Sequence, residues 1–399
     1  MNRKHKKGLL TTAAVVATAA LALAAAATAG ASSSKNSATT PPALIAQAKA
    51  VLAAAAAGMI HNTVDESLIT NLSQLQTVKG WAGPTSTPKP PTGKKVAIVV
   101  CVFGSACEDS GREAEKAAKL LGWKADVIDG KASPTGYFAA MDSVLSKNYD
   151  AILTMAIPES LIADKVAKAH SKNIPVIGIA SIPEKSSTDH YDAYVSYHEI
   201  SGSALQAAQV IATSNGTGKV VMIWDYGFPH LVAAATVGQR ILKQCTGCKL
   251  LEVQKRDLGT AADPVAMGKI ANALVNKYGK DLQYVMTPYG FGVAPLIEAF
   301  RAAGRTDIQV LSNNGEKQQL AFVANGQMRV DSGVAVAYTG YAAIDQTIRL
   351  LAGEKALPDY QQGVPIHLFT KANAPKDGVF NWNTLVDAPS QYKKLWGLK

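Results

Sequence analysis

Four cysteines stand in two close pairs, Cys101 with Cys107 and Cys245 with Cys248. Thiols this near in sequence can close a short disulfide, exchange electrons, or supply half of a zinc site. Cys245-Thr246-Gly247-Cys248 has the spacing of a redox motif or of two tetrahedral ligands, but no second cysteine or histidine pair stands nearby to complete a set of four. His61, His190, His198, His230 and His367 are scattered, and no zinc-protease motif, nucleophile elbow or phosphate loop is present. Asp225 and His230 are spaced for acid–base work, although a histidine at a helix start more often caps or packs. No enzyme activity, cofactor or metal is expected. The remaining chemistry-bearing residues are aromatic: Trp224, Tyr226 and Phe228 beside His230, then Tyr289 and Phe291 between glycines, with Phe103, Tyr197 and His198 further upstream. Asp225, Asn313, Asn314, Glu108 and Glu159 are the polar candidates that would orient a ligand among those rings.

The elements that must position these residues alternate regularly. Strand-like runs at 94–103, 124–129, 149–157, 174–180 and 191–198 are separated by helical patterns near 108–121, 134–147 and 159–172, with a further helix near 200–213. After the turn-rich Ser214-Asn215-Gly216-Thr217 the series restarts, with strands at 219–224, 249–255, 282–287 and 308–312 and helices near 230–243, 262–278 and 293–303. This is an α/β chain of two Rossmann-like lobes, each a parallel sheet flanked by helices. The candidate side chains fall at carboxyl ends of strands, where ligands sit in open parallel sheets.

Upstream, residues 1–31 carry Arg3, Lys4, Lys6 and Lys7, then an apolar stretch ending in small residues near Ala29 and Ala31, the order of a secretory signal. Retention of that stretch as an anchor is the alternative. Export favours disulfides at both cysteine pairs. No cysteine precedes Cys101, so a lipid anchor is not expected. Residues 32–93 read as a leader: an Ala-rich helix from Pro42 to Ile60, then a proline-rich connection. Of the +10 net charge, +6 remains beyond the signal with no basic block, which argues against nucleic acid.

Over about residues 94–373 the sequence resembles the type I periplasmic solute-binding proteins of ABC importers, in the ribose-binding branch that shares its fold with lac-repressor-like ligand domains. The likeness rests on AIVVCVF, AEKAAKLLGWKADVIDG, YDAILTMAI followed by AHSKNIPVIGIA, MTPYGFGVAPLIEAFRAAG and AAIDQTIRLLAGE, in that order. It implies two lobes joined by three crossings near Asn215–Thr217, Val334–Ala335 and Phe369–Lys371, with a ligand cleft between them. The first lobe would be 94–215 plus 335–368, and the second 218–333 plus 371–399. It also implies an exported, periplasmic or cell-envelope receptor, a monomer that closes over a small molecule and presents it to a permease in the cytoplasmic membrane. A receptor feeding a membrane signalling partner is the alternative. Sugar-binding members place an Asn-Asp pair where this chain has Tyr289-Gly290, an Asp where it has Asn314, a Gln near Val334, and an Arg where Phe228 to Ala235 contains none. The expected solute is therefore sugar- or polyol-like, or aromatic and apolar, with Trp224 and Tyr289 as removable walls of the site.

Overall fold

A computed structural model describes residues 39–61 and 65–398; the signal and its cleavage point lie outside them. Strands Lys95–Val100, Ala151–Met155 and Val176–Ile179 are runs of buried apolar residues, the pattern of parallel strands covered on both faces. With Lys124–Asp129 and Ala193–Val195 they form an all-parallel sheet in the order 124–129, 95–100, 151–155, 176–179, 193–195. Helix Ala106–Leu120 packs on one side of it. Ser105 caps that helix by accepting from the Cys107 N–H, and Glu108 and Asp109 sit in the first turn, where the helix dipole favours acids. Helix Val336–Leu351 packs against Ala106–Leu120 and against three of these strands.

The second sheet has eight strands. Lys249–Arg256, Lys219–Asp225, Tyr284–Met286, Gln309–Asn314 and Val330–Val334 run parallel. Ile366–Thr370, Met59–Ile60 and Thr77–Val78 extend it antiparallel. Helices Pro264–Tyr278 and Val293–Ala302 bury Met267, Leu274, Leu296 and Phe300 in a second apolar core on one face. Helices Glu199–Thr213 and Pro229–Gln244 pack against each other and against strands of this sheet.

The path between the sheets differs from the expected one in three places. Helix Glu199–Thr213 belongs to the second sheet, because Gln206 donates to the Thr287 carbonyl and Gly202 lies so close to Asn313 that a Cβ would meet its Oδ1 at 2.4 Å. The first crossing is therefore Ser196–His198, with His198 in a left-handed conformation (φ 57°), and not 215–217. All but the last residue of that helix are buried, so polar residues such as Glu199, Ser203, Gln206 and Gln209 lie inside the protein and mark no solvent face that would show which sheet it serves. Strand Ile366–Thr370 pairs along its length with Val330–Val334, so residues 366–368 join the second lobe and the chain returns before Ile366. The tail assigned to the second lobe divides. Phe380 and Trp382 pack beside Phe369, whereas helix Ala388–Leu395 lies on Val336–Leu351, with Trp396 donating to Asp345 at 3.1 Å and its ring stacked on Tyr341.

The leader is also structural. Helix Pro42–Ala57 uses small residues, Ala48 and Ala55, to approach helix Glu199–Thr213 closely, and Met59–Ile60 adds a strand beside Ile366. The chain then passes to the other lobe, where Trp81 stacks on Tyr338 (5.1 Å) and meets Tyr392 edge-on (5.0 Å).

Glu66, just beyond the leader helix, meets the first crossing. Burial alone would lower the pKa of His198, but the Glu66 carboxylate 2.5 Å from Nδ1 more than offsets it and raises it to about 9. Charged His198 therefore contributes its full stabilisation below its ordinary 6.5, and this is lost as the pH rises through about 9. Urea unfolding is expected to show stability falling across that window, and His198→Gln should flatten the dependence. A rise in stability toward pH 9 would contradict it.

Candidate functional site

The carboxyl ends of both sheets converge on one cavity. From the first lobe come the Cys101–Cys107 bridge, Ala106 at the start of its helix, Met155 at the end of its strand, and Ala156 and Ala180 just past theirs. From the second come Phe228, His230 and Leu231 after strand Lys219–Asp225, Leu258 after Lys249–Arg256, Tyr289 and Phe291 after Tyr284–Met286, and Asn314 and Glu316 at the end of Gln309–Asn314. Tyr197 and Glu199, on either side of His198 at the first crossing, complete it. The empty space is about 460 Å³, counted with its open mouth. Its lining is mostly apolar with a few placed polar groups, the character of small-ligand clefts.

Five of the sequence-predicted residues line this cavity: Tyr197, Phe228, Tyr289, Phe291 and Asn314. The others serve the scaffold. Trp224 is fully buried and donates its indole N–H to the Leu231 carbonyl at 2.7 Å, so it is core behind the wall. Asp225 is buried behind Tyr289, accepting from the Tyr289 hydroxyl and from the Gly227 N–H, each at 2.7 Å. Arg256 closes this group, donating to the same hydroxyl at 3.0 Å with its guanidinium 4.5 Å from the ring centroid. Asn313 donates to the Pro288 carbonyl and fixes the turn before Tyr289. Tyr226 lies outside under Lys255, 4.6 Å from its ring. Phe103 is exposed beneath Arg112, and Glu108 accepts from the Gly104 N–H and pairs with Arg112 at 3.1 Å. Glu159 is buried and saturated by the N–H groups of Glu184 and Tyr191, the Tyr194 hydroxyl and His190. His198 belongs to the Glu66 cluster.

Met155, Ala156 and Ala180 were legible by the strand-end rule, and the left-handed backbone at Ala156 (φ 50°) and Ala180 (φ 48°) turns the chain along the cleft wall. Glu199, directly after the run 191–198, and Glu316, after 308–312, meet the same rule, but only the path of the chain brings them to one cavity.

The cleft is electrostatically unusual. Burial raises Glu199 to about 8, with Glu66 adding to the effect, and burial and the nearby Asp331 raise Glu316 to about 8. Burial lowers His230 to about 3, which keeps its ring neutral, with Nε2 4.0 Å from Glu199. His230 does not pair with Asp225, which is taken up by Tyr289.

Both cysteine pairs are bridged. Cys245–Cys248 closes the end of helix Pro229–Gln244, away from the cleft, with Thr40 against Cys245. Replacing both with serine is expected to lower stability by roughly 2 kcal/mol without changing ligand affinity. The same change at Cys101 and Cys107, which line the cleft, should weaken binding as well. Denaturation and titration of the two double variants check this, and equal affinities would remove the first bridge from the site.

A family model described as a periplasmic binding protein domain matches residues 96–355. The chain belongs to the periplasmic binding protein family. Three solved structures show the same fold. A sugar ABC transporter subunit from Rhodobacter sphaeroides is 18% identical, with a TM-score of 0.63, covering 70% of this chain and 99% of that one. A solute-binding protein from Agrobacterium vitis with bound allitol is 21% identical (TM-score 0.63; 71% and 97% covered). One from Bacillus halodurans with bound myo-inositol is 17% identical (TM-score 0.60; 71% and 97% covered). No curated protein matches the sequence. The family and these structures are binding proteins and not enzymes. Periplasmic binding proteins are exported, and among the described residues no helix is long and apolar enough to cross a membrane.

Proposed function

We propose that this protein is the extracytoplasmic receptor of an ABC importer, which captures one small solute between its lobes and delivers it to a membrane permease. The convergence of strand ends from both sheets on a single cavity carries this reading, since each lobe supplies only half of the lining. Closure over a solute removes the rings of Phe228, Tyr289 and Phe291 from water, worth roughly 25 cal/mol per Å² of apolar surface. The solute shifts the equilibrium between open and closed lobes only by its preference for the closed form. Small-angle scattering and thermal melts of the exported chain, with a panel of sugars, polyols, amines and aromatic acids, test it. A hit is expected to raise the melting temperature and reduce the radius of gyration together. Failure of every compound to do either would overturn the receptor reading.

A further inference from the structure

Besides its two tyrosines, the ionisable groups that line the cleft are two carboxyl groups and one neutral histidine. The cleft's three hydroxyl donors are turned inward: the Tyr197 hydroxyl donates to the Ala106 carbonyl, the Tyr289 hydroxyl to Asp225, and the Ser105 hydroxyl to the Val102 carbonyl. Its acceptors belong to residues of the lining. Asn314 is buried with its Oδ1 unpartnered, and the carboxyl groups of Glu199, which is buried, and Glu316, which is partly so, stand in the lining. No lysine or arginine is among the described residues that line the cleft. The charged neighbours add to the imbalance. Glu199 faces Glu66, His198, Asp359 and the neutral His230, and Glu316 faces Asp331, Asp109 and the Ala106 N–H. Arg256, behind Tyr289, donates from Nη1 to its hydroxyl, while its Nε and Nη2 are buried without a partner.

The cleft's own donors are few, the neutral His230 ring N–H, the Asn314 amide and the protonated carboxyl groups, and two of them turn into acceptors when Glu199 and Glu316 ionise. A positively charged amine brings only donors, and its hydrocarbon suits the rings, whose faces attract cations. We infer that the solute is a small organic cation, an amine on a compact apolar body, held by Glu199, Glu316 and the Asn314 oxygen and enclosed by Phe228, Tyr289 and Phe291. This rests on the receptor reading and narrows it. The chain beyond the signal carries +6, yet no basic side chain is among the described residues that line the cleft, which suits a positive cargo.

In the empty cleft at neutral pH the two carboxyl groups hold their protons, since both titrate near 8. Uptake of a cation favours the carboxylate, so binding releases a proton and tightens as the pH rises toward 8. The test is isothermal titration of the exported chain with cyclohexylammonium and phenethylammonium, each beside its neutral counterpart, cyclohexanol or 2-phenylethanol, together with allitol and myo-inositol. An ammonium is expected to bind at least about tenfold tighter than its alcohol, and up to about tenfold tighter for each pH unit between about pH 6.5 and 8. Its heat should depend on the buffer's ionisation enthalpy. Glu199→Gln and Glu316→Gln should each reduce the ammonium-to-alcohol ratio at least about tenfold, and an unchanged melting temperature will show that the variants are folded. An alcohol or polyol that binds as tightly, with no proton released, would overturn the cation and leave the receptor standing. Failure of both ammonium probes to bind would likewise overturn it, and silence from every probe with no contraction in scattering would remove both readings.

Discussion

A chain lacking residues 39–93 is expected to lose its cooperative thermal transition and to aggregate. That segment buries Leu44, Val51, Leu52, Met59 and Ile60, and the surfaces it covers are the long helix Glu199–Thr213 and the edge of strand Ile366–Thr370. Its loss would bare an apolar helix face and an unpaired strand edge together. Exposing three large apolar side chains costs about 5–9 kcal/mol at roughly 1.5–3 kcal/mol each. This is comparable with the entire stability of a domain, about 5–15 kcal/mol. Circular dichroism melts and gel filtration decide the matter. A monomer with a sharp transition within a few degrees of the parent would show the segment to be a detachable leader.

Trp224→Ala is expected to cost about 3–5 kcal/mol, in the range for a large buried aromatic. The indole is fully buried, and its N–H satisfies the carbonyl of Leu231, a cleft residue. The cavity and the freed carbonyl both destabilise the turn that carries Phe228 and His230, so affinity should fall too. Phe291→Ala removes a partly buried ring from the lining and should weaken binding with a much smaller loss of stability. Urea unfolding of the two variants separates these roles. A Trp224→Ala protein as stable as its parent would restore Trp224 as a removable wall, the role suggested by its position at a strand end.

The aromatic turn at 289–292 shows how position and direction part company. Glycines flanking Phe291 place it and Tyr289 at a strand end, and both line the cavity. The same rule placed Trp224 there, yet successive strand residues point to opposite faces and its ring turned into the core. Glu159 and Glu108 sit near strand ends as well, but each found backbone N–H donors at closer range and became a cap or a buried anchor.

What the sequence determined by itself was local: apolar runs of strand length, capped helices between them, their order, and hence two parallel sheets with functional residues at their carboxyl ends. Periodicity and capping act over a few residues and are written in neighbouring side chains. Only the tertiary structure decided where the chain changes lobe, that the Ala-rich leader completes the second sheet, and that Glu199 and Glu316 share one cavity. Those outcomes depend on which buried surface each element meets. In a helix buried all round, such as Glu199–Thr213, the polar residues point to other parts of the protein and not to water, so their pattern does not name the partner.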